Sequence, residues 1–185
     1  MIEPPDVLHF WFAGDSNTER AVWFEKDASF DAACDRFADA LRAARAGTLD
    51  HWAATPRGAL ALILLLDQFS RNLHRGAAEA YAADAEARAL ARAAVARGFD
   101  RKLGWVERML LYLPFEHSED LADQDESVRL FETLWLALGD ATVEYAHRHR
   151  DVIRRYGRFP HRNAVLGRES TPEELAYLAH PGAGF

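Results

Sequence analysis

The chain has 185 residues, 49% hydrophobic and 28% charged, with a formal charge of −7. That length suits a single well-filled domain of globular composition, and the acidic balance excludes a duplex nucleic-acid partner, whose binding draws on basic phosphate contacts. The lone Cys34 excludes an internal disulfide and a cysteine-rich zinc site.

The start, Met1-Ile2-Glu3-Pro4-Pro5, lacks the basic and apolar regions of a signal peptide. A short helix is expected near Pro5–Phe12 and another near Glu19–Lys26. Phe30, Cys34, Phe37, Leu41 and Ala44 recur at three and four, which predicts a helix over Ser29–Ala46 stopped by Gly47. Thr55-Pro56 reads as an N-cap with proline at the first helical position, opening a helix to about Phe69. Its apolar run Ala59–Leu66 is far shorter than the ~20 residues of a membrane span. A cytoplasmic protein without a membrane partner is expected.

An alanine-rich helix follows over about Ala77–Arg97, ended by Gly98, and a shorter one over Trp105–Leu113. His117, Leu121, Gln124, Val128, Phe131, Trp135 and Leu138 fall on one stripe, and Ala146, His149, Ile153 and Tyr156 on the next. Ser170-Thr171-Pro172-Glu173 opens a closing helix with capping-box character. β-Branched residues are sparse and no segment alternates over strand length, so the expected fold is all-α. Leu62, Leu65, Leu66, Leu110, Phe131, Trp135 and Ile153 are expected in the core. Short loops between helices of similar length imply stacked antiparallel helical pairs in one domain.

Three polar segments interrupt this apolar pattern: Asp67-Gln68-Phe69-Ser70-Arg71-Asn72, Pro114-Phe115-Glu116-His117-Ser118-Glu119 and Arg158-Phe159-Pro160-His161-Arg162-Asn163. Polar groups this dense beside core sequence must satisfy one another or a ligand. Asp67 lies one helical turn from Arg71, its nearest cation. Arg71, Arg158 and Arg162 are candidates to grip an anion by bidentate bonds. His117, His149 and His161 are candidates for proton transfer, with Glu116 among the catalytic candidates. Asp67, Asn72, Gln124 and Asn163 complete the expected ligand-binding set. By contrast, His147, Asp151 and Arg155 read as a solvated ladder. Glu116, His117, Glu119, His149 and His161 are metal-ligand types without a metal-binding spacing, and nothing in the sequence requires a cofactor.

The chain resembles the bacterial domain-of-unknown-function family 924. The resemblance rests on Val7-Leu8-His9-Phe10-Trp11-Phe12, Trp23-Phe24, Leu60 to Asn72, Tyr112 to Asp120, Gly157 to Asn163, Leu166-Gly167-Arg168 and Pro172-Glu173-Glu174-Leu175. Ser70 departs from it, where the family pattern often has proline. The resemblance implies a tetratricopeptide-like helical fold and assigns no activity.

Two functions fit these residues. The first is binding of a small anionic or polar metabolite in a polar cleft, with histidine acid–base chemistry as its enzymatic form. The second is a tetratricopeptide-like peptide or protein interaction module in which the polar cluster is structural, a reading carried by fold analogy. The oligomeric state, a homo-oligomer included, stays open. At the C-terminus, Phe185 is expected to dock near the polar cleft with its carboxylate on an arginine.

Overall fold

The computed structural model describes residues 2–184, which form helices and loops without a strand. The expected docking of Phe185 lies outside the described residues. Among those residues no helix is long and apolar enough to cross a membrane. The chain packs as two compact units. One comprises residues up to Arg75 together with Glu79–Pro114, and the other Gly76–Ala78 together with the residues from Phe115 onward.

In the first unit, α1 (Pro4–Phe12) starts on two prolines and a capping box between Glu3 and Asp6. It buries Val7, Leu8, Trp11 and Phe12. The expected Ser29–Ala46 helix is divided into α2 (Ala28–Cys34), a 3-10 turn (Asp35–Phe37) and α3 (Ala38–Arg45). The tighter turn changes the angular step, yet Phe30, Cys34, Phe37, Leu41 and Ala44 are all buried.

Thr55 caps α4 (Pro56–Ile63), its side chain accepting from the Gly58 N–H. The helix does not stop at Phe69 as expected. It passes through a π-helical stretch (Leu64–Phe69) into α5 (Ser70–Leu73). Every residue from Gly58 to Ser70 is buried, so this is the central element of its unit. The expected Ala77–Arg97 helix begins later, as α6 (Asp84–Ala96), behind a 3-10 turn at Ala78–Tyr81. α7 (Trp105–Glu116) runs three residues beyond the expected Leu113, and Pro114 sits inside it.

In the second unit, α8 (Leu121–Glu132) packs along α10 (Asp140–Tyr156), with the single turn α9 (Trp135–Leu138) between them in sequence. The long stripe expected from His117 to Leu138 is therefore broken at both ends. His117 precedes Asp120, whose side chain caps α8, and the helix ends at Thr133. Of the residues expected in the core, Trp135 is the exception, 51% exposed. Its position beyond the break turns it outward, where its indole N–H donates to Asp140. α11 (Pro172–Leu178) follows a 3-10 turn at Pro160–Arg162 and starts on the expected capping box, formed by Thr171 and Glu174.

Candidate functional site

Asp67, Arg71 and Asn72 lie in the first unit, where each finds a partner. Asp67 is fully buried. It accepts from Gln68 Nε2 at 2.7 Å, and its Oδ1 is 3.3 Å from Arg71 Nη1. Arg71 also clasps Asp84 through two bonds of 2.9 and 3.0 Å. Burial alone would loosen the Arg71 proton, but Asp67 and Asp84 outweigh it and hold the guanidinium charged. Asn72 Nδ2 donates to Asp31 at 2.7 Å, and Arg75 pairs with the same carboxylate. The cluster ties α5 to α2 and α6.

The other two polar segments meet directly in the second unit. Glu119 accepts from the Phe159 N–H at 2.7 Å and pairs with Arg168 at 2.7 and 3.0 Å. Burial would raise the Glu119 carboxyl, but these bonds hold it below its ordinary value. Arg158 holds both oxygens of Glu174, at 2.7 and 2.8 Å, and keeps that carboxyl down to about 2. Asn163 Nδ2 donates to Ser170 Oγ at 3.0 Å and to Glu174 at 3.3 Å. These bonds fix the loop between α10 and α11.

Inside this frame lies a buried acid–base pair. Glu116, 2% exposed, ends α7, and His149, 5% exposed, sits on the inward face of α10. His149 Nδ1 is 3.6 Å from Glu116 Oε1 and 3.0 Å from the Tyr145 carbonyl oxygen. A carbonyl can only accept, so Nδ1 carries the hydrogen and Nε2 keeps the lone pair. Burial pushes the His149 pKa well below 6.5, and the positive potential of His117, Arg162 and His161 acts in the same direction. His149 is thus a neutral imidazole whose Nδ1 hydrogen points to the Tyr145 carbonyl oxygen, with Glu116 Oε1 3.6 Å away.

His117 and His161 are both partly buried, and Arg162 is 6% exposed with its guanidinium over the Phe159 ring. Gln124 lies on α8, fully buried, and donates from Nε2 to the carbonyl oxygens of Glu116 and Ser118 at 2.6 Å each. The second unit therefore gathers Glu116, His117, Gln124, His149, Arg158, His161, Arg162 and Asn163. Two neighbours escaped the sequence reading. Tyr145 packs on His149 at 5.0 Å, and its phenol is raised by burial and by the Glu116 charge. Its spacing of four from His149 was the available signal. Ser127, fully buried beside Gln124, gave none. Among the described residues no group of three or more His, Cys, Asp or Glu is arranged to hold a metal ion.

Comparison with known proteins gives kinship without an activity. A bacterial family of proteins of unknown function, DUF924, matches residues 7–182. No curated protein matches the chain. A solved structure, that of the protein of unknown function ATU0120 from Agrobacterium tumefaciens, is similar at 44% identity and a TM-score of 0.86. The match covers 95% of this chain and 96% of that one. The chain belongs to the bacterial family DUF924.

Proposed function

We propose that the second unit binds a small anionic or polar metabolite and that His149 acts on it as a general base. The observation that supports this best is the buried Glu116–His149 pair, 3.6 Å apart, with a neutral imidazole under positive potential. A neutral imidazole with Arg162 close by suits a base that serves an anion. Arg162 and His161 would hold the anion, His117 would exchange protons with solvent, and Gln124 and Asn163 would orient the ligand. Arg158 serves Asn163 through Glu174, while Asp67, Arg71 and Asn72 stabilise their own unit. The cytoplasm is the setting this chemistry fits.

The alternative, a tetratricopeptide-like interaction module, draws on exposed apolar side chains, Trp135 at 51% and Leu136 at 91%. It leaves the buried acid–base pair without a purpose, so the metabolite reading is preferred. Thermal-shift measurements with inorganic phosphate, succinate and glutarate test it. At least one should raise the melting temperature of the parent protein and not that of Arg162→Gln. No response to any of them, or an equal response in the variant, would overturn the reading.

A further inference from the structure

The first unit holds a cavity of about 420 Å³ between one face of α1, the loop after it and the first turn of α4. That volume falls within the ~300–1,000 Å³ of small-molecule sites. Every residue lining it belongs to this unit, so it shares none with the groups around His149. A helix places residues four apart on one face, and here that face carries Pro4, Leu8 and Phe12, with Pro5 beside them. Leu8 and Phe12 are each 3% exposed and give the cavity a firm apolar floor. Neither proline has an N–H, so this wall is apolar in its backbone as well.

The rest of the lining supplies hydrogen-bond donors. Arg57 Nη1 is 2.9 Å from Glu107 Oε1, a carboxylate 5% exposed whose other oxygen accepts from the Gly104 N–H at 3.0 Å. Glu107 thereby anchors one corner of the guanidinium, and no other bond to it forms among the described residues. Nε and Nη2 remain on a side chain 58% exposed. They are the two atoms with which Arg158 clasps Glu174, and they offer a carboxylate two parallel charged bonds. Thr55 Oγ accepts from the Gly58 N–H and keeps its own hydrogen to give, and the His9 and Ser16 side chains bond to no other described residue. The acids nearest in sequence are committed: Asp6 accepts from the Glu3 N–H, and Asp15 from the Asn17 N–H and the Thr18 hydroxyl. No aspartate or glutamate is among the described residues that line the cavity.

We propose that this cavity binds a carboxylate carried on an aromatic body, with the carboxylate on Arg57 Nε and Nη2 and the ring against Leu8, Phe12 and the two prolines. Backbone-amide NMR titration with benzoate and 3-phenylpropionate, each against its neutral amide, tests it. At least one acid should bind saturably and shift the amides of Ser16, Thr55 and Gly58. It should bind about tenfold tighter than its own amide and than acetate. Arg57→Gln should lose the preference for acid over amide. Because that change also takes the cation from Glu107, His9→Glu gives a second test. His9 is exposed, so the fold should persist, and the added like charge should weaken the acids and not the amides. Shifts confined to other residues, or no saturable shift, would overturn the site. Equal binding of acid and amide would overturn the carboxylate class, and acetate binding as tightly as the aromatic acids would overturn the apolar floor. An undiminished preference in both variants would overturn the placement of the carboxylate.

Discussion

Arg71 and Arg158 each belong to a polar segment that follows core sequence, and both end up clasping a carboxylate through two bonds. Their partners, Asp84 and Glu174, lie 13 and 16 residues further along the chain. Helical periodicity links residues three and four apart, so it revealed Asp67 beside Arg71 but neither of these longer pairings. Arg71→Ala would take the Arg71 cation from the fully buried Asp67, and breaking a buried pair in this way typically costs ~3–5 kcal/mol. Urea unfolding should show a loss of that order. Unchanged stability would mean that Gln68 alone suffices for Asp67.

At the scale of elements, local chemistry was the legible part. Thr55 and Thr171 both cap helices where the N-cap and proline pattern placed them. Thr171→Ala should cost ~0.5–2 kcal/mol by losing its bond to the Glu174 N–H. Because Glu174 also holds Arg158 and Asn163, the variant's loss should extend to the loop between α10 and α11, read as faster amide exchange there. Protection equal to the parent would show that Arg158 fixes Glu174 without the cap. The departures from regular α-helix, the 3-10 turn before α3 and the π stretch after α4, coincide with an aromatic contact between the two segments. Phe37 and Phe69 lie in those two segments and meet at 4.8 Å. Propensity within either segment does not report that contact. Gly58 shows the same tertiary demand, since a Cβ there would stand 2.1 Å from the Trp52 carbonyl oxygen. Gly58→Ala should therefore destabilise by ~1–3 kcal/mol through overpacking, despite better helix propensity. A gain in stability would show that the Trp52 turn gives way freely.

For the whole molecule, the helical class followed from composition and periodicity, because both are summed over many residues and tolerate local error. The candidate site was legible as a list of residue types. Its division was not, since Asp67–Asn72 finds its partners in one unit while Glu116–Glu119 and Arg158–Asn163 meet in the other. The acid limb of stability should record two of these groups. His149 has a folded pKa below its unfolded 6.5, so the unfolded chain takes up more protons and stability falls as pH drops below 6.5. Glu174, held at about 2 against an ordinary 4.5, gives a second loss as pH falls through that lower window. In His149→Gln the first loss should shrink while the second persists, as read by unfolding free energies across the acid range. An identical profile in the variant would place the titration elsewhere.

A nitrogen-detected NMR titration of the His149 imidazole shows directly whether it is a buried neutral base. The ring should be neutral, with hydrogen on Nδ1 and a bare Nε2, well below pH 6.5 while the protein stays folded. An imidazole that gains its second proton at or above pH 6.5, or one that carries its hydrogen on Nε2, would contradict it.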